Sequence, residues 1–118
     1  GECVSAESCA RQSQAHPAWA SSRHFNSSRR EDLSSSFLAG GDPAANPGMH
    51  RWNRVFLPYC SQDLWTGTRL AASEETFGLH FSGHLIVEEV VRHLKAHEGL
   101  GEATHVIVSG DSAGGFGA

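Results

Sequence analysis

From Arg54 onward the apolar residues of this chain follow two different patterns, one helical and one of short continuous runs. From about Gly78 to Ala96, Leu79, Ile86, Val87, Val90, Val91 and Leu94 recur at helical spacing, which predicts an amphipathic α-helix. Glu88 and Arg92 stand one turn apart on its polar side in the favourable order, and Gly99 and Gly101 supply the stop. Two short continuous apolar runs flank the helix. Arg54–Pro58 reads as a buried strand, ended where proline can no longer donate to a ladder. Val106, Ile107 and Val108 are β-branched, the composition of a strand buried on both faces. Strand, helix, strand over this length predicts a right-handed βαβ unit with parallel strands, hence an α/β fold. The loop from Tyr59 to Gly67 leaves the first strand at its carboxyl end, the edge where such folds bind ligands.

The first half is polar and punctuated. Residues 1–20 read as loop with a single helical turn, and Ser21–Ser36 as a solvated Ser/Arg-rich surface segment. Gly40-Gly41-Asp42-Pro43 and Asn46-Pro47-Gly48 are consecutive turn signals.

Candidate chemistry enters at the second apolar run. Val106–Val108 leads directly into Gly110-Asp111-Ser112-Ala113-Gly114, a match to G-x-S-x-G, the nucleophile elbow. Such a turn lifts the serine hydroxyl out of a sheet and aims the next backbone N–H, here that of Ala113, at the oxyanion of an acyl-transfer intermediate. Competing readings are a glycine-rich phosphate-type loop or a plain tight turn. A trypsin-like Gly-Asp-Ser-Gly-Gly-Pro is a further competitor, from which the chain departs at Ala113 and Phe116. That protease reading would need residues such as His24 and Asp63 to converge on Ser112. The elbow reading itself requires His105–Ser109 to be paired as a strand.

Composition narrows the setting. The 118 residues fit one small domain, and 39% hydrophobic with 19% charged residues is a globular balance. A net charge of -4 without a basic block argues against nucleic acid as a partner. Eight histidines would carry that balance toward positive at about pH 5. No apolar run approaches the ~18 residues of a membrane span. The elbow stands close to the chain's end, so the chain is expected to be a partial domain, residues 1–118, truncated at both ends. By spacing, Cys3 and Cys9 either bridge a short loop or stay reduced with Cys60. Asn26-Ser27-Ser28 is an N-glycosylation sequon.

Four motifs occur in order: Cys3-x5-Cys9, Asp42-Pro43-Ala44-Ala45-Asn46-Pro47, Trp52-Asn53-x-Val55-x-x-Pro58-Tyr59-Cys60, and Gly110-x-Ser112-Ala113-Gly114-Gly115. In this order they resemble the pectin acetylesterase/Notum family over nearly the whole chain. Pro58–Gly67 leans toward the animal Notum version, while the Asp-Pro-x-x-Asn-Pro box fits the plant and microbial enzymes at least as well. The resemblance implies a secreted or cell-wall serine carboxylesterase with a partial three-layer α/β-hydrolase-like fold. It further implies Ser112 as nucleophile, Gly1 and Ala113 as oxyanion donors, and a Cys3–Cys9 disulfide. Cys60 would be free or bonded to a residue beyond this chain. In the family the triad acid and histidine follow the serine, so neither is among the residues here, and His80, His84 and His93 are surface or core-edge residues. Glu2 departs from the aromatic that usually precedes the first cysteine, which bears on the pocket lining there. Tyr59 and Trp65, beside the nucleophile, either line the acyl pocket or pack in the core.

The implied reaction needs no cofactor or metal. Its favoured form is removal of O-acetyl groups from a polysaccharide such as pectin. The alternatives are Notum-like removal of a fatty acyl group from a protein and a non-catalytic binding protein that kept the fold. The expected partners are therefore an acetylated polysaccharide or an acylated protein.

Overall fold

The computed structural model describes residues 3–25 and 40–118. Gly1, the Asn26 sequon and most of the Ser/Arg segment lie outside the described residues. The chain divides into two compact units, one made of Gly1–Phe25 with Tyr59–Ala118, the other of Asn26–Pro58.

In the larger unit, α1 spans Ala6–Ala15, a full ten-residue helix where only a single turn was expected. Its start is specified locally. The Ser5 hydroxyl accepts from the Ser8 N–H at 3.2 Å, and the Ser8 hydroxyl accepts from the Ser5 N–H at 3.0 Å. This is a capping box with serine in place of the usual Glu or Gln, so its sequence lacks the usual signature. Ala, Glu, Gln and Arg then favour continuation. The Cys3–Cys9 disulfide, with Cα atoms 4.7 Å apart, ties the entry strand of chain onto the helix, and Cys9 is buried there. Short 3₁₀ turns follow at Pro17–Trp19 and Ser22–His24.

The predicted amphipathic helix is present as α2, Gly83–His97, but it begins five residues later than Gly78. Upstream, Ser73 and Thr76 bond each other's N–H groups at 2.8 and 3.3 Å, and Phe77 and Gly78 both take positive φ, 57° and 74°. That turn closes before a helix can start. The expected Glu88–Arg92 pair is also replaced: Arg92 bonds Glu89 one turn back, while Glu88 faces His84 at 3.4 Å. Gly99, left-handed at φ 74°, stops the helix as expected, and a 3₁₀ turn at Leu100–Glu102 follows.

The α/β expectation is overturned. Among the described residues there is no strand, and the regular elements are three α-helices and three 3₁₀ turns. Arg54–Pro58 and His105–Ser109 are irregular, so the strand on which the elbow was to rest is not formed. A β-branched run is only suited to a strand; it becomes one when a neighbouring segment takes up its N–H and C=O groups. Among the described residues no such ladder forms. The side chains accordingly stay in the open: Val106, Ile107 and Val108 are 59%, 51% and 70% exposed. The βαβ unit and the three-layer architecture built on it fall with these strands.

In the smaller unit, the Asp-Pro-x-x-Asn-Pro box does form the predicted turns. Asp42 accepts the Ala44 N–H at 2.9 Å, and buried Asn46 donates to the Gly40 carbonyl at 2.9 Å. The Arg54 guanidinium reaches the carbonyls of Gly40, Met49 and His50.

Removing one half of the α1 cap tests how much of this unit depends on it. Ser5→Ala should lower stability by about 1 kcal/mol, read as a reduced midpoint in denaturant unfolding. An unchanged midpoint would mean that the disulfide alone sets the helix start.

Candidate active site

The Gly110–Gly114 turn forms without the paired strand that the elbow expectation required, His105–Ser109 being irregular, and its own backbone is tightly constrained. Ser112 sits at φ 52° and ψ -119°, a conformation that L-residues with a side chain rarely adopt. It is the residue before α3, Ala113–Gly117. A Cβ on Gly110 would collide with the backbone of Gly114, so the doubling back at this turn requires glycine. The turn is closed by the Gly114 N–H to the Asp111 carbonyl at 2.8 Å and the Gly115 N–H to the Ser112 carbonyl at 3.0 Å. The Ala113 N–H takes no part in these turn bonds, while the residue itself is buried. Ser112 is exposed.

The Tyr59–Gly67 loop packs against α3 at Gly117, through Trp65. Trp65 is 7% exposed, and a Cβ on Gly117 would lie 2.5 Å from its Cδ1 atom. The indole therefore lies directly on the last turn of α3, in the place where a side chain at position 117 would have stood. Tyr59 packs on Trp65 with ring centroids 5.3 Å apart, and its hydroxyl accepts the Leu64 N–H at 2.8 Å. Trp65 is thus a packing residue beneath α3, with Tyr59 bracing it.

Sequence reasoning missed what holds this loop in shape. Gln62, Leu64 and Trp65 all have positive φ, at 55°, 56° and 67°. Each such residue costs on the order of 1 kcal/mol or more and persists only where its surroundings compel it. The compelling group is the Asp63 carboxylate. Its Oδ1 accepts from the Ser61 hydroxyl at 2.5 Å and the Trp65 N–H at 3.0 Å. Its Oδ2 accepts from the Gly67 N–H at 3.2 Å and the Gly83 N–H at 2.7 Å. Four donors fill the acceptor sites of one carboxylate. Gly83 is the first residue of α2, whose Ser82 N-cap side chain makes no capping bond, so Asp63 caps this helix from across the loop. With its oxygens so engaged, Asp63 is not available to orient a catalytic histidine, which closes the trypsin-like reading. The signal that could have found this role was Asp63 itself, a short carboxylate within a turn rich in backbone donors.

The loop is joined to α1 as well. Gln62, 1% exposed, accepts the Cys3 N–H on its carbonyl at 3.2 Å and donates from its side chain to Ser13 at 3.1 Å. Among the described residues no group of three or more His, Cys, Asp or Glu is placed to hold a metal, and no helix is long and apolar enough to cross a membrane.

A family model described as Pectinacetylesterase matches residues 1–118. Palmitoleoyl-protein carboxylesterase notum1′ of Xenopus laevis is 37% identical over 117 residues, covering 98% of this chain and 22% of that protein. Palmitoleoyl-protein carboxylesterase NOTUM of Schmidtea mediterranea is 38% identical over 98 residues, 80% of this chain and 18% of that protein. The Mus musculus NOTUM of the same description is 39% identical over 80 residues, 68% of this chain and 15% of that protein. The chain spans about a fifth of the length of these relatives. No solved structure matches it.

Cys60, within the loop and half-buried, is a free thiol in this structure. Burial pushes its pKa up, and the negative charge of Asp63 adds to the rise. A thiol whose folded-state pKa is raised holds its proton more tightly folded than unfolded. Its contribution to stability is intact at neutral pH and is lost as pH climbs past the unfolded value, about 8.5. Melting temperature should therefore fall more steeply between about pH 8 and 10 in the natural protein than in Cys60→Ala. Parallel profiles for the two would show that Cys60 ionises as freely in the fold as outside it.

Proposed function

Because this chain belongs to the pectinacetylesterase family, we propose that it carries the nucleophile segment of a serine carboxylesterase acting on a fatty acyl ester of a protein. The observation that carries this reading is the backbone of Ser112, a non-glycine residue held at positive φ immediately before a helix, in a chain whose relatives are esterases. Backbone strain at an exposed hydroxyl immediately before a helix is the conformation that a nucleophile elbow uses, and it supports this reading together with the family. In the proposed reaction the Ser112 Oγ attacks the acyl carbonyl and forms a tetrahedral intermediate. The Ala113 N–H, with that of Gly1, stabilises the oxyanion; an alcohol leaves, and water then releases the acid from the acyl-enzyme. One such donor contributes about 2.7–4 kcal/mol to lowering the barrier. The histidine and acid of the triad belong beyond Ala118, following the order of the family pattern.

Sequence motifs alone favoured an acetylated polysaccharide such as pectin. The relatives shift the proposal, since those with printed activities are palmitoleoyl-protein carboxylesterases and cover up to 98% of this chain. The Cys3–Cys9 disulfide supports a secreted, oxidising setting.

Two measurements on the full-length protein test the proposal. A fluorophosphonate probe should label the natural protein and fail to label Ser112→Ala; no labelling of the natural protein would favour a non-catalytic binding protein. Octanoyl esters should be turned over with higher kcat/KM than acetyl esters of the same alcohol. A preference for acetyl would restore the polysaccharide reading.

A further inference from the structure

The Asp63 carboxylate and the proposed nucleophile turn are connected by a short run of contacts. Asp63 accepts the Trp65 N–H, so it fixes the backbone of a residue at φ 67°. The indole of Trp65 in turn supports α3 at Gly117, a contact that only glycine allows. α3 is five residues long, and its other end is Ala113, directly after Ser112. A helix this short has little rigidity of its own, so its orientation follows what it rests on. The same carboxylate anchors the Gly83 N–H at the start of α2, which holds the loop to a longer and stiffer element.

We propose that Asp63 is a positioning residue for the esterase reaction: through Trp65 and Gly117 it sets the orientation of α3, and thereby the direction of the Ala113 N–H relative to the Ser112 hydroxyl. This rests on the esterase reading above and deepens it. The effect is confined to the transition state. The oxyanion forms only as the acyl carbonyl becomes tetrahedral, so a tilted donor slows the chemical step and leaves ground-state binding of the acyl chain nearly untouched. No charge on Asp63 enters the reaction, because its four acceptor sites are already occupied by Ser61, Trp65, Gly67 and Gly83.

Asp63→Asn tests this in the full-length protein. The amide keeps the shape of the carboxylate but turns an NH2 group toward donors that it cannot accept from. Expected is a fall of about 10- to 100-fold in kcat and in the rate of fluorophosphonate labelling at Ser112, with KM little changed. Gly117→Ala should produce the same kcat-selective loss by pushing on Trp65 from the other side. The double variant should then be little worse than either single one, because both act through one contact. Gly99→Ala, which strains the left-handed stop of α2 away from the loop, controls for lost stability and should melt earlier with kcat intact. Equal labelling rates for the natural protein and Asp63→Asn would overturn the role. So would a loss of kcat in Gly99→Ala that matches that in Asp63→Asn, or a loss seen in KM alone. A natural protein that takes up no label at Ser112 would remove the esterase reading itself, a result distinct from any of these.

Discussion

A single carboxylate organises the larger unit. Loop backbone with three left-handed non-glycine residues in four positions is unfavourable, and nothing in its own sequence preferences would keep it so. Asp63 supplies the compensation, because bonds from N–H and O–H groups to an ionised carboxylate are roughly twice as strong as neutral ones. One of those bonds, from the Gly83 N–H, ties the loop to α2, and neighbouring loop residues reach other elements. Gln62 on one side reaches Cys3 and Ser13 of the α1 region, Gly83 opens α2, and Trp65 lies under α3. Three helices thus meet at a loop whose shape is electrostatic in origin.

This matters because apolar burial is scant. Among the described residues the buried apolar positions are Cys3, Cys9, Trp65 and Ala113. Of α2, only Gly83 is fully buried, and Val91 is 37% exposed. Directional bonds and a disulfide therefore carry more of the organisation than in a domain of ordinary core size. The conformation of Ser112 is set locally, by the turn between Gly110 and Gly114, and among the described residues no sheet lies behind it.

Local signals were legible where the controlling interaction lies within a few residues. The body and stop of α2, the turns at Asp42–Pro47 and the constrained turn at Gly110–Gly114 depend on periodicity, on Asx chemistry and on glycine at a close approach. The full length of α1 is not evident from the sequence because its cap uses Ser8 in place of the usual Glu or Gln, and α2 starts later than its periodicity suggests because Ser73 and Thr76 close a competing turn. The strands at Arg54–Pro58 and Val106–Val108 were read from composition, which records suitability for a ladder and says nothing about whether a partner is there.

The sequence by itself determined the family, because four motifs stand in a particular order along the chain, and through that resemblance it implied the Cys3–Cys9 disulfide that the structure forms. Tertiary structure decided that Asp63 is a cap for α2 and that Trp65 supports α3. It also decided that the β-branched run before Ser112 is irregular and open to solvent. The physical reason is common to all three: an acceptor, a packing surface and a ladder each need a second group, and that group is brought into reach only by folding.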